Sequence, residues 1–139
     1  MVLLKLDISS VRNIHKLSFV PSPTINFFYG DNGSGKSALL EAIFLLGRAR
    51  SFRTPSVKSV LTVNAIKLMV TGVIKQINGN TLTLGLQAGD KNTIIHINHQ
   101  PAQKRSDLAY ALPLQLFHPK SYELLDAGGQ CRREFLDWG

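Results

Sequence analysis

The chain has 139 residues, 44% of them hydrophobic, which fits one domain with a buried core and excludes a disordered tail. Sixteen basic against nine acidic residues give a net charge of +7, which favours polyanionic partners, nucleic acid first. The single cysteine, Cys131, excludes an internal disulfide and suits a reducing cytoplasm. Charge comes too early for a signal peptide, and no apolar run is long enough to cross a membrane, so we expect a cytoplasmic protein without a membrane partner.

The first third of the chain is predicted to form strands that lead into a helix. Residues 2–8 and 17–20 alternate as short strands do, and two prolines in residues 21–23 break the pattern. Residues 24–29 are aromatic and apolar, which predicts a buried strand. The helix begins at Lys36 and is expected to end at Gly47, and because it is apolar on nearly every side we expect it to be buried between layers.

A phosphate-binding loop joins that strand to that helix. Eight residues match the pattern G-x-x-x-x-G-K-[ST], namely Gly30, Asp31, Asn32, Gly33, Ser34, Gly35, Lys36 and Ser37. The glycines allow the backbone N–H groups to point inward at a phosphate, and the start of the helix adds further donors. Lys36 is predicted to reach the β- and γ-phosphates, and Ser37 to bind Mg²⁺. The loop therefore predicts binding of ATP with Mg²⁺.

The next segment, residues 48–59, is a basic and polar loop. No acidic residue occurs between Ala42 and Ala88 to neutralise it. We expect Arg48, Arg50 and Arg53 to contact DNA phosphates without reading the base sequence. The structural alternative is that Arg50 and Arg53 brace the loop against the sheet.

The second half of the chain begins with an antiparallel meander. Asn-Gly at residues 78–79 predicts a hairpin between strands 68–77 and 81–86, and residues 93–98 form a third strand. A helix is predicted over residues 103–112, a short core strand over 114–117, and helices around 122–125 and 130–138.

Several motifs together resemble one family. Beside the phosphate loop these are Val11-Arg12-Asn13-Ile14, Leu39-Leu40-Glu41-Ala42-Ile43, Gly47-Arg48-Ala49-Arg50-Ser51-Phe52-Arg53-Thr54 and Arg132-Arg133-Glu134-Phe135-Leu136-Asp137-Trp138-Gly139. The chain resembles the N-terminal part of the RecF family, bacterial DNA replication and repair proteins related to ABC-type and SMC-like ATPases. Val11 departs from the aromatic residue that is frequent in the family, and Pro119-Lys120 departs from the usual Pro-Glu.

The resemblance implies an α/β fold, a P-loop NTPase of the ABC-type ATPase head. Such a head has a core sheet holding the phosphate loop and an antiparallel side sheet. It further implies that Arg12 and Asn13 contact the nucleotide. Gln115 is the nearest candidate for the glutamine that contacts Mg²⁺ and the attacking water, which would make Gln115 catalytic together with Lys36. The signature loop and second acidic strand of the family do not occur in this sequence, so we expect residues 1–139 to form a single, incomplete head that hydrolyses ATP negligibly by itself.

The function implied by the resemblance is an ATP-dependent DNA-binding switch in recombinational repair and replication. Such a protein dimerises around two nucleotides, binds single-strand/double-strand junctions, and aids recombinase loading at gaps together with recombination mediator proteins. Two alternatives stay open: a small P-loop kinase, which the antiparallel meander disfavours, and a DNA-binding remnant that does not hydrolyse ATP. A GTPase is disfavoured because no Asn-Lys-x-Asp motif occurs.

Overall fold

The computed structural model describes residues 1–90, 92–102 and 104–117, and its centre is one six-stranded sheet. The strands are β1 (Val2–Val11), β2 (Ile14–Phe19), β3 (Lys67–Lys75), β4 (Thr81–Gly89), β5 (Thr93–Ile97) and β6 (Gln100–Pro101). Their order is β2-β1-β3-β4-β5-β6, and every neighbouring pair is antiparallel. The predicted opening strands, the Asn-Gly hairpin and the third meander strand are confirmed.

Helix α1 (Lys36–Arg48) packs against one face of this sheet. Residues on β3 and β4 alternate between buried and more exposed, which creates the apolar face that the helix covers. The approach is closest at Gly72, where an added Cβ would lie 2.6 Å from Cδ2 of Leu46. A side chain at this point of the sheet would have to displace Leu46 of the helix, and glycine avoids that overlap.

The end of α1 differs from the prediction. The helix continues through Gly47 to Arg48, and Ala49 at φ 50° ends it by donating its N–H to the carbonyl of Leu45. Gly47 has another role, since a Cβ there would lie 2.5 Å from Cδ1 of Leu114 and 3.0 Å from the carbonyl oxygen of Leu112. Gly47 therefore allows the chain after helix α2 (Arg105–Ala111) to pack closely on α1.

Helix α1 is also less buried than predicted. Leu40 is 43% exposed, so within the described part of the chain the helix is covered on one side rather than between two layers. Glu41, the only acid of the helix, is fully buried.

Two predicted strands are not formed. Residues 24–29 lie outside the sheet, and Phe27 and Tyr29 are 85% and 94% exposed. Residues 114–117 are likewise not a strand, and Phe117 is 69% exposed. A strand needs a hydrogen-bonded neighbour, and none of the described strands lies beside either segment. The helices predicted around residues 122–125 and 130–138, and Cys131, lie outside the described residues. No described helix is long and apolar enough to cross a membrane.

Candidate functional site

The phosphate loop lies between residues 24–29 and the start of α1, in the conformation that its glycines permit. Gly30, Gly33 and Gly35 have φ angles of 149°, 84° and 101°, a region that side chains disfavour. The amide of Ser34 donates to the carbonyl of Asp31 at 3.2 Å, which closes the turn. Gly35 occupies the N-cap of α1, and no side chain caps the helix there. The first N–H groups of α1 therefore have no side-chain acceptor and are available to donate hydrogen bonds to an anion.

Lys36 folds back over this loop. Its Nζ donates to the carbonyl oxygens of Gly30 at 2.6 Å and Asp31 at 2.7 Å, and lies 3.5 Å from Oγ of Ser34. These three acceptors match the three donors of an ammonium group. The lysine therefore spans the loop at the place where phosphate oxygens would replace these acceptors.

Asn13, in the turn between β1 and β2, supports the loop from the side. Its Nδ2 donates to the carbonyl oxygen of Gly33 at 2.7 Å. Its amide group also lies 3.5 Å from the position that a Cβ of Gly35 would take. Asn13 was predicted to contact the nucleotide, and the structure places it against the loop and on the wall of the same cleft.

A cleft of about 420 Å³ opens beside the loop. Its volume is within the range of small-molecule sites. Three cationic side chains reach it from separate parts of the chain, together with the amides at the start of α1. The lining residues are Arg12, Asn13, Asn32, Gly33, Gly35, Lys36, Ser37, Ala38 and Arg53. This donor set suits a polyphosphate, and the exposed hydroxyl of Ser37 is placed to bind a divalent cation held by it.

Arg12 is held by a buried carboxylate. Its Nε donates to Oε2 of Glu41 at 2.9 Å, its Nη2 to Oε1 of Glu41 at 3.0 Å, and its Nη1 to the carbonyl of Ser59 at 2.6 Å. The Arg12 amide, at φ 53°, donates to the carbonyl of Val60 at 2.7 Å. Arg12 was predicted to contact the nucleotide; it lines the cleft with its guanidinium fixed in a bidentate ion pair.

The ion pair shifts both groups toward their charged forms. Burial raises the pKa of Glu41, but hydrogen bonds from Arg12 and Ser51 and the charges of Arg12 and Arg53 outweigh it, so this pKa lies below its ordinary value. The hydrogen bond to Glu41 raises the pKa of Arg12. Glu41 is therefore ionised at neutral pH although its side chain is fully buried.

The three arginines predicted to bind DNA have different surroundings. Arg48 is partly buried, its Nη2 donates to the carbonyl of Leu114 at 2.7 Å, and burial followed by the charge of Arg50 lowers its pKa. Arg50 is exposed. Arg53 is exposed and lines the cleft beside Lys36 and Ser37. The structure thus brings only Arg53 of the three to the phosphate loop.

Gln115 lies away from the loop. It is exposed and follows Leu114, whose side chain packs beside Gly47 near the C-terminal end of α1. Ser37 lies at the other end of the helix, about 15 Å away along its axis at 1.5 Å per residue. The structure therefore does not bring Gln115 and Ser37 together.

Sequence reasoning missed the contributions of Glu41 and Ser51. Ser51 donates its hydroxyl to Oε1 of Glu41, and its oxygen accepts the backbone N–H groups of Arg53 at 2.9 Å and Thr54 at 3.1 Å. One signal was available: a single acid on an apolar helix, four residues after Ser37 and so on the same face. The partners lie 29 and 10 residues away, which no local pattern reveals.

Comparison with known proteins identifies relatives of the whole chain. Residues 2–128 match the model of the RecF/RecN/SMC N terminal domain family. The chain is 43% identical over 140 aligned positions to a DNA replication and repair protein RecF of Pseudomonas paraeruginosa, and 42% identical to that of Stutzerimonas stutzeri. Each alignment covers 100% of this chain but 38% of the relative, so the chain spans well under half the length of these proteins.

Solved structures give the same result for the fold. A structure of the recombination mediator protein RecF with ATP superposes with a TM-score of 0.88 at 26% identity, covering 97% of this chain and 38% of that one. A structure from work on the ATP-driven dimerization of SMC ATPases superposes with a TM-score of 0.78 at 17% identity, covering 99% of both chains. The predicted fold class, the N-terminal portion of a P-loop ATPase head of ABC type, is confirmed.

Proposed function

The chain belongs to the RecF/RecN/SMC N terminal domain family, and from this premise we propose that it binds ATP with Mg²⁺ as part of a DNA replication and repair protein. The whole protein is proposed to be an ATP-dependent DNA-binding switch that acts in a RecFOR-type pathway. It would bind single-strand/double-strand junctions and aid recombinase loading at gaps. Its proposed partners are DNA, recombination mediator proteins and, when the head is complete, a second copy of the whole protein, with which it dimerises when ATP is bound.

One observation carries the proposal: the cleft beside the phosphate loop. Lys36, Arg12 and Arg53 line it, and the uncapped start of α1 opens into it. Charge and backbone donors that converge on one cleft of this size are what a nucleoside triphosphate requires. A fortuitous glycine-rich turn would not have cations from three separate segments directed to it.

The residues of the chain have separate tasks in this proposal. The amides of Gly33 and Gly35 and of the first turn of α1 donate to the phosphates, and Lys36 exchanges its carbonyl partners for phosphate oxygens. Ser37 holds the Mg²⁺, which when bound neutralises charge on the phosphates. Asn13 keeps the loop in place, and Arg12 and Arg53 supply positive charge at the rim. Gln115 can join Ser37 only after residues 113–117 are rearranged.

DNA binding is proposed on the basic, acid-free part of the chain. Arg50 is exposed, and no carboxylate pairs with it among the described residues. The relatives from Pseudomonas paraeruginosa and Stutzerimonas stutzeri are DNA replication and repair proteins, which supports nucleic acid as the polyanion. The cytoplasmic location stays a prediction.

The two alternatives differ in what supports them. The antiparallel order of all described strands disfavours a small P-loop kinase, whose phosphate loop belongs to a parallel βαβ unit. A DNA-binding remnant that does not hydrolyse ATP remains open, because the same loop and arginines would serve it.

DNA binding that responds to ATP tests the proposal. The anisotropy of a labelled gapped duplex is measured against the chain with Mg²⁺ and with or without ATP, and a fully paired duplex of equal length serves as the reference. We expect tighter binding to the gapped DNA with ATP, and no ATP effect in Lys36→Ala. Equal affinity for both DNAs with and without ATP would contradict the switch, whereas binding of nucleotide is tested separately below.

A further inference from the structure

Glu41 is the one charged residue that is fully buried in the described part of the chain. It lies four residues after Ser37 on α1, so both side chains are on one face of the helix, and Glu41 contacts Arg12 of the cleft wall. Burial of a carboxylate is costly, and an ion pair that only stabilises a core is often replaced by apolar side chains without loss. The contacts that this carboxylate makes with residues of the cleft indicate a role in addition to packing.

Both oxygens of this carboxylate are engaged. Oε2 accepts a hydrogen bond from Nε of Arg12, and Oε1 accepts hydrogen bonds from Nη2 of Arg12 and from the hydroxyl of Ser51. The two parallel bonds fix the plane of the guanidinium, and the bond from Nη1 to the carbonyl of Ser59 fixes its remaining edge. These contacts use three of the five N–H groups of Arg12 and leave its charge at the wall of the cleft.

The contact with Ser51 extends the effect to a second arginine. The Ser51 oxygen accepts the backbone N–H groups of Arg53 and Thr54, so the loop turns at this hydroxyl. Arg53 comes from this turn to the same cleft that Arg12 lines. One carboxylate thus contacts the guanidinium of Arg12 and, through Ser51, the backbone turn from which Arg53 reaches the cleft, 41 positions later in the sequence.

We propose that Glu41 is a positioning residue for the nucleotide cleft: its carboxylate orients Arg12 directly and Arg53 through Ser51, so that both charges favour the ligand with the larger number of phosphates. The inference rests on the proposed nucleotide binding. ATP carries more negative charge than ADP, so two cations kept at the rim raise the affinity for ATP more than that for ADP.

The ratio of ATP to ADP affinity tests this role, because any loss of folded protein lowers both affinities equally and cancels in the ratio. Fluorescent ATP and ADP are titrated against wild type, Glu41→Gln, Ser51→Ala and Arg12→Gln, with Mg²⁺ present. Asp90→Asn, the same chemical change in an exposed acid paired with Lys58, is the matched control.

We expect Glu41→Gln to lower the ratio about tenfold, the equivalent of one hydrogen bond to a charged group. Ser51→Ala is expected to lower it less, and Asp90→Asn to leave it unchanged. When Arg12 is already replaced by Gln, Glu41→Gln can act only through Ser51. We therefore expect it to lower the affinity ratio further only by the smaller amount that Ser51→Ala causes alone. If Glu41→Gln does not fold, the affinity ratio of Ser51→Ala decides the test in its place.

An unchanged ratio in Glu41→Gln, or in Ser51→Ala where that variant stands alone, would overturn the positioning role while leaving nucleotide binding intact. If the wild-type protein binds neither nucleotide, or binds both no more tightly than Lys36→Ala does, the proposed function and this inference are overturned together.

Discussion

The side-chain amide of Asn13 donates a hydrogen bond of 2.7 Å to the carbonyl oxygen of Gly33, and so connects the turn between β1 and β2 to the phosphate loop. The two residues are 20 positions apart, and Asn13 is exposed. The loop is therefore held by the sheet as well as by its own glycines.

Replacement of Asn13 tests that support. Asn13→Ala removes one hydrogen bond, worth about 1 kcal/mol, so we expect roughly fivefold weaker nucleotide binding. The melting temperature should fall by no more than about 4 °C, since this is the shift that a loss of about 1 kcal/mol produces in a chain of this size. Fluorescent-nucleotide titration and a thermal melt measure the two effects, with the exposed hairpin residue Asn80→Ala as the control. Equal affinity of Asn13→Ala and wild type would show that the loop keeps its conformation without this bond.

Gly47 gives a prediction about packing. Gly47→Ala should destabilise the fold by about 1–3 kcal/mol, because its Cβ would overlap Leu114 and the carbonyl of Leu112. Gly85→Ala on β4 is the matched control, since its Cβ would meet only Cβ of His96 at 3.8 Å. Urea denaturation measures both variants. A Gly47→Ala variant as stable as Gly85→Ala would mean that residues 112–114 do not pack on α1 as described.

The ion pair of Glu41 predicts a pH dependence of stability. Because the pKa of Glu41 is lowered by folding, its contribution is fully present above the unfolded pKa of about 4.3 and is lost as pH falls through the folded value. Wild type should therefore lose stability below about pH 4.3 more steeply than Glu41→Gln. At pH 7 the variant should be less stable, by less than the roughly 3–5 kcal/mol of a fully buried pair, since Arg12 is a quarter exposed. Urea melts from pH 3 to pH 7 measure both, and parallel curves would contradict the assignment.

Substitutions of the arginines in residues 48–59 distinguish contact with DNA phosphates from a structural role. Arg50→Gln should flatten the salt dependence of duplex binding by about 0.9 per lost phosphate contact and leave the melting temperature unchanged. Arg48→Gln should lower the melting temperature, because it removes the bond to the carbonyl of Leu114. Binding isotherms at several salt concentrations and thermal melts distinguish them. If Arg48→Gln, Arg50→Gln and Arg53→Gln all leave the salt slope unchanged, the DNA surface lies elsewhere.

The local features of this fold were predictable from the sequence. The Asn-Gly hairpin, the phosphate loop and the helix that follows it depend on residues adjacent in the chain, and each forms as expected. The strand predicted over residues 24–29 did not form, because alternation and β-propensity do not supply a neighbour to pair with. The strand predicted over residues 114–117 did not form for the same reason, and the structure does not bring Gln115 to Ser37; a catalytic role for Gln115 stays a prediction.

The candidate site was predictable only in part. Lys36 and Ser37 follow from the motif, whereas the pairing of Arg12 with Glu41 joins residues 29 positions apart and appears only once the sheet and α1 are packed. The expected end of α1 at Gly47 was wrong because glycine has two uses, and here close packing rather than helix termination requires it.

Nucleotide titration of Lys36→Ala tests the central claim most directly. Fluorescent ATP is added to wild type, Lys36→Ala and Lys75→Ala, an exposed lysine on β3 that serves as the control. We predict that Lys36→Ala weakens binding at least about tenfold, since a hydrogen bond to a charged group contributes about 1.5–3 kcal/mol. Lys75→Ala should stay within about a factor of two of wild type, as surface substitutions do. Equal affinity of wild type and Lys36→Ala would contradict the assignment of this cleft as an ATP site.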